Sequence, residues 1–104
     1  MQLLSIYSFY YLYSKMEKFV VFGRYCKDAI VKREPFREQH LKILKNLKDS
    51  DILVTLGPTK CTKYLFGIFN ANDVKELKNL IEEDIYWKKG IWINYDIYPW
   101  IQAF

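Results

Sequence analysis

The chain has one histidine, His40, inside the stretch REQHLKIL at positions 37–44. Imidazole is the side chain whose ordinary pKa lets it take up and release protons near neutrality, so general acid or base work is the chemistry to ask of it. Other chemistries are scarce. With one histidine a multi-histidine metal centre is excluded within a single chain, and the two cysteines, Cys26 and Cys61, lack the clustered spacing of a zinc site. No GxGxxG, P-loop, HExxH or GxSxG pattern occurs. No metal and no cofactor are therefore expected. His40 also has a plainer reading, as a histidine at the edge of the core that does no more than satisfy its hydrogen bonds.

The elements that would carry these residues can be placed from periodicity. Phe36, His40, Ile43, Leu44 and Leu47 share one face of a helix ending near Ser50, with Pro35 fitting its first turn. A strand over Lys18 to Arg24 precedes it, rich in β-branched and aromatic residues. Strands over Ile52 to Leu56, stopped by Gly57 and Pro58, and over Tyr64 to Phe69 come next. Asp73 and Glu76 resemble a capping box opening a second helix, with Val74, Leu77, Leu80 and Ile81 inward and an end near Glu83. A short turn through Ile85 to Lys89, closed by Gly90, leads into a fourth strand, IWINYDIY, which Pro99 is expected to end.

This β-α-β-β-α-β order predicts an α+β, ferredoxin-like fold: a four-stranded antiparallel sheet in spatial order 4-1-3-2 with both helices on one face. The strands are nonetheless apolar on both faces, as the consecutive Phe19, Val20, Val21 and Phe22 show. A sheet with one wet face would alternate more strictly, so a homodimer in which two sheets stack face to face is expected. Trp92, Tyr95 and Tyr98 are expected to fill that interface.

Composition bounds the rest. A chain of 104 residues, 51% apolar and 18% aromatic, is one globular domain. Its net charge of +4 comes from lysines scattered along the sequence rather than gathered in a stripe, which argues against nucleic acid as the partner. Two cysteines are too few for a disulfide scaffold and point to a reducing compartment such as the cytoplasm. Residues 1–15, MQLLSIYSFYYLYSK, carry no charge before Lys15, and the composition changes abruptly at Met16. They read as an N-terminal extension to a domain over 16–104, either untidy, an organellar or secretory targeting segment, or an interface arm; they are too short to span a membrane.

KREPFREQHL at 32–41, LVTLGP at 53–58, DIYWKKG at 84–90 and IYPW at 97–100 together resemble the YciI-like (YCII-related) proteins. The likeness runs in unbroken order from Met16 to Phe104 and implies a dimeric α+β barrel. It also implies an active-site dyad of His40 and Asp84, by their positions in the family's motifs. Ile85 stands where the family usually has proline, Tyr25 where some members have an acidic residue, and the loop after Pro58 is shorter than in many relatives.

The fold makes that pairing physically reasonable. In the split βαβ arrangement the two helices run antiparallel, so Asp84, just past the second, approaches the start of the first, where His40 lies. A carboxylate accepting from one ring nitrogen would fix the tautomer and leave the other nitrogen for proton transfer. No serine or cysteine is placed beside the pair, so a covalent mechanism is not expected. Asp84 is equally suited to N-cap the turn after it, and both roles can hold together. Arg37, one helical turn before His40, is a candidate for binding an anionic substrate group or bracing Asp84, against the default of a solvated surface arginine. Tyr86 is a candidate substrate-binding hydroxyl, against simple packing. Two functions remain open from the sequence: a cofactor-independent acid/base enzyme for a small organic molecule, of lyase or isomerase type, and a non-catalytic dimeric ligand-binding or accessory module.

Overall fold

The β-branched and aromatic run around Phe19–Phe22 builds one of the two inner strands of the sheet. The computed structural model describes residues 16–104; the expected extension over 1–15 lies outside the described residues. Strand β1 spans Glu17–Tyr25 and is followed by a four-residue helix α1 (Ala29–Lys32), a 3₁₀ turn (Glu34–Phe36) and helix α2 (Arg37–Asp49). Then come β2 (Leu53–Pro58), β3 (Tyr64–Ala71), helix α3 (Val74–Glu83), the short helix α4 (Ile85–Lys88) and β4 (Trp92–Trp100). The sheet order is β2-β3-β1-β4 with every neighbour antiparallel, as the β-α-β-β-α-β pattern predicts.

The two edge strands run further than the sequence suggests. β2 continues through Gly57 and Pro58, and β4 continues through Pro99, which sits opposite Phe19. Proline is tolerated there because each of these strands has only one neighbour, so a missing N–H leaves no ladder partner on the outer side unsatisfied. Helix α1 is absent from the sequence-based expectation, because four residues give no helical period to detect.

One face of the sheet packs against the helices. Phe19, Val21, Leu65 and Phe69 are buried there, and Leu77 and Ile81 of α3 press onto them. Val74, expected inward, is 44% exposed, and the burial of α3 falls on Leu77 and Ile81 in its later turns. The start of that helix is held by the expected cap, with Glu76 N–H donating to Asp73 Oδ1 at 2.8 Å. Glu76 reaches back to the N–H of Asn72 rather than of Asp73 itself, at 2.8 Å. Tyr95 O–H donates to Glu82 Oε2 at 2.7 Å, tying β4 to α3.

The other face is open and apolar. Register places Phe22 beside Phe66, and Phe22, Phe66 and Tyr98 remain 49%, 39% and 54% exposed. Their rings still meet, at centroid separations of 5.3 Å for Phe22–Phe66 and 6.3 Å for Phe22–Tyr98. Among the described residues no helix is long and apolar enough to cross a membrane.

Candidate active site

Helix α2 buries a single residue fully, and that residue is His40. Phe36, Leu44 and Leu47 flank it as half-buried packing along the predicted face, so the apolar stripe of the helix holds the imidazole against the sheet. Asp84 reaches the same point from the other side of the helical layer. It ends α3 with an extended backbone and begins α4, whose first turn it caps: Tyr86 N–H donates to Asp84 Oδ1 at 2.9 Å. Gly90, at φ +70°, then supplies the left-handed residue that ends this small helix and turns the chain into β4.

The two side chains meet at hydrogen-bond distance, His40 Nδ1 to Asp84 Oδ1 at 2.7 Å, with 4% and 3% of the respective residues exposed. Asp84 thus performs the capping and the histidine-orienting role with the same oxygen. A carboxylate acceptor requires the proton on Nδ1, which leaves the Nε2 lone pair as the reactive position of a neutral ring. Among the described residues no hydrogen bond occupies Nε2.

Aromatic residues fix the plane of the imidazole. Tyr86 stacks on it at a centroid distance of 3.6 Å and 9°, while Trp92 meets it edge-on at 5.2 Å and 88°. A ring clamped on one face and one edge has little freedom to leave its carboxylate. Burial raises the Tyr86 phenol above its ordinary pKa, with the charges of Arg33 and Arg37 opposing the shift. Tyr25 is likewise raised by burial, opposed by the Trp92 indole and the Arg33 charge. Tyr25, on the helical face by alternation with Phe19 and Val21, pairs with Trp92 where the register slips past Ile93 of β4, a bulge that turns Trp92 to the same face.

Of the four candidate residues, His40, Asp84 and Tyr86 come together and Arg37 does not join them by contact. Arg37 is exposed on α2 and forms no ion pair with Asp84 among the described residues. The brace expected of it is taken by the backbone N–H of Tyr86. Two further residues stand at the dyad that the sequence motifs do not single out, Trp92 and its cross-strand partner Tyr25, and the charge of Arg33 acts on the phenols of Tyr25 and Tyr86. Arg33 lies two helical turns before His40, a spacing visible in the sequence, but the 3₁₀ turn between them breaks the helix on which such spacing is read. Trp92 is not at the open face, where it was expected, because the bulge brings it to the helical side; Tyr95 is drawn to that side as well, onto Glu82.

Cys26 and Cys61 are both free thiols and border one cavity of about 400 Å³ at the end of β1, away from His40. The Thr59 hydroxyl, at 3.2 Å from Cys61 Sγ, is the main cause holding that thiol below its ordinary pKa. Among the described residues no group of three or more His, Cys, Asp or Glu side chains is arranged to hold a metal ion.

A family model described as a YCII-related domain matches residues 17–101. Among solved structures, 5-chloro-2-hydroxyhydroquinone dehydrochlorinase from Burkholderia phenoliruptrix AC1100, in complex with 2,5-dihydroxybenzoquinone, aligns with a TM-score of 0.72. The alignment covers 83% of this chain and 95% of that one at 21% identity, a likeness of fold. No curated protein sequence matches the chain.

Proposed function

The chain belongs to the YCII-related domain family, and we propose that within it this protein is a cofactor-independent acid/base enzyme acting on a small organic molecule through His40 and Asp84. The observation that carries the reading is the buried hydrogen bond of 2.7 Å from His40 Nδ1 to Asp84 Oδ1, which aims a lone pair at Nε2. Nε2 takes a proton from a carbon or oxygen of the substrate, and Asp84 stabilises the imidazolium that results. Expulsion of a leaving group from the deprotonated substrate is an elimination; return of the proton at another atom is an isomerisation. General acid/base catalysis of this kind contributes about 10²–10⁴-fold in rate. The dehydrochlorinase of the same fold supports the elimination branch, since loss of hydrogen chloride needs a proton acceptor and no cofactor. Tyr86 forms the floor beneath the imidazole and Arg37 contributes positive charge at the rim.

In the same reading the protein is a homodimer. The exposed rings of Phe22, Phe66 and Tyr98 form an apolar face that a second copy, presenting the same face, would cover. The free thiols Cys26 and Cys61 favour a reducing compartment, the cytoplasm.

The depth of the dyad favours a second reading. With His40 at 4% exposure and Tyr86 stacked across its ring, a non-catalytic dimeric ligand-binding or accessory module would have the same geometry. A panel of small hydroxylated aromatic and carboxylic metabolites, assayed with wild type and with a folded His40→Gln variant, separates the two. Turnover that disappears in the variant supports the enzyme. Binding without turnover in both proteins supports the module.

A further inference from the structure

Cys26 and Cys61 are distant in the sequence and neighbours in the fold. Strands β1 and β3 pair as far as Arg24 opposite Tyr64, and Tyr25 N–H extends that ladder by donating to Lys63 O at 2.9 Å. The next residue of the chain is Cys26, which therefore leaves the sheet beside the turn that contains Cys61. Both thiols line the same cavity of about 400 Å³, together with Lys27, Asp28, Thr62 and Lys63. Opposed residues on antiparallel strands have Cα atoms about 4.5–5.5 Å apart, inside the about 4.4–6.8 Å that a disulfide spans.

The two thiols are not equivalent. Cys61 is exposed and Cys26 half-buried. Thr59 Oγ1 accepts from Tyr64 N–H at 3.3 Å and stands 3.2 Å from Cys61 Sγ. That hydroxyl first, and then the Lys63 backbone, hold the Cys61 thiol below its ordinary pKa. More of it is therefore thiolate at neutral pH, and thiolate is the nucleophilic form. An accessible, acidified thiol beside a more sheltered one is the division of labour that thiol–disulfide exchange requires.

We propose that this cavity is a dithiol site that reacts with small disulfides carrying carboxylates, Cys61 attacking and Cys26 resolving. The Cys61 thiolate attacks one sulfur of the disulfide; the S–S bond breaks, a mixed disulfide forms on Cys61, and one thiolate leaves and takes up a proton. Cys26, its proton lost to solvent, then attacks Cys61 Sγ and expels the second thiolate. The Cys26–Cys61 bond forms, and the two electrons that the protein thiols lose reduce the small disulfide to two thiols. Lys27 and Lys63 outnumber Asp28 around the cavity, so its charge favours a carboxylated disulfide over a neutral one. The site lies away from His40 and does not depend on the acid/base reading.

Intact-mass spectrometry of the reduced full chain tests it, with oxidised glutathione as the anionic probe and bis(2-hydroxyethyl) disulfide as the neutral one. Wild type should lose the mass of two hydrogens without retaining glutathione, and digestion should recover Cys26 and Cys61 crosslinked within one chain. Cys26→Ser should stop at the mixed disulfide and accumulate one glutathione on Cys61. Cys61→Ser should react about tenfold or more slowly than wild type. Thr59→Val, which removes the hydroxyl, should slow the first step and raise the pH at which its rate is half-maximal. With each rate divided by that of the same disulfide with a small free thiol, wild type should favour glutathione by about threefold or more. A wild type that retains the adduct or forms no bond within the chain overturns the dithiol site, as does Cys61→Ser reacting at the wild-type rate. Equal corrected rates for the two probes overturn the assignment of anionic disulfides. Should Cys26→Ser fold poorly, Cys26→Ala replaces it: accumulation of the adduct supports the resolving role and its absence overturns it.

Discussion

Replacing Asp84 separates its two jobs. In Asp84→Ala, His40 Nδ1–H loses its acceptor in a site where the histidine is 4% exposed, at a cost of about 1–3 kcal/mol. The same change removes the N-cap of α4, where Asp84 Oδ1 accepts from Tyr86 N–H at 2.9 Å, for about 1 kcal/mol more. The expected destabilisation is about 2–4 kcal/mol. Asp84→Asn should cost about 1 kcal/mol, because asparagine caps a helix as well as aspartate does and its carbonyl still accepts, with only the charge assistance lost. Urea unfolding at fixed protein concentration measures both, the fixed concentration being needed if folding and dimerisation are linked. The ring supplies an independent readout. One histidine in the chain means one imidazole in a nitrogen-15 NMR spectrum. Wild type should show the Nδ1–H tautomer, and Asp84→Ala a mixed or inverted one. An alanine variant within about 0.5 kcal/mol of wild type, or a wild-type ring protonated at Nε2 when neutral, would refute the reasoning.

The fold carries three further expected outcomes. Phe22→Asp, on the open face where Phe22 is 49% exposed, should leave the protomer folded and convert a dimer into a monomer in sedimentation; a wild type already monomeric at micromolar concentration contradicts the face-to-face dimer. Gly23→Ala would place a Cβ 2.8 Å from Asn94 O of the neighbouring strand, so β1 and β4 must separate, and thermal unfolding should show a loss of about 1–3 kcal/mol. Burial, with the bond to Glu82 and its charge, holds the Tyr95 phenol well above its ordinary pKa. A phenol whose folded pKa exceeds its unfolded value gives stability that is complete below about pH 10 and is lost as pH rises above it. Unfolding free energy should therefore fall between about pH 10 and 12 more steeply in wild type than in Tyr95→Phe, and equal slopes would contradict this.

What could be read from the sequence and what could not divide along physical lines. The helical face through His40, Leu44 and Leu47 and the order of strands depend on local periodicity, and they stand as expected. Asp84 was reachable through the family resemblance, which pairs it with His40 by motif position, and the helix order of the split βαβ pattern is compatible with that pairing. The ends of β2 and β4 were not legible: Gly57, Pro58 and Pro99 stop a strand with two neighbours but not one at a sheet edge, and edge position is a tertiary property. Val74 matches the period of its helix yet is 44% exposed, since the period does not say which turns of a helix meet the core. Arg33 and Arg37 have the same side chain four positions apart, yet with a 3₁₀ turn between them the first is half-buried and the second exposed. The β4 irregularity that brings Trp92 to the dyad, opposite Tyr25, leaves no mark on an alternating pattern.

The central claim is that His40 transfers protons to and from a small organic substrate, and hydrogen exchange at carbon tests it most directly. Hydroxylated aromatic and carboxylic compounds with acidic C–H bonds are incubated with the protein in deuterium oxide and monitored by proton NMR. Wild type should wash deuterium into at least one of them, with the exchange reduced by about 10²-fold or more in folded His40→Gln and Asp84→Asn variants. Exchange that proceeds equally in the His40 variant, or no enzyme-dependent exchange with any compound that the protein binds, would contradict the claim.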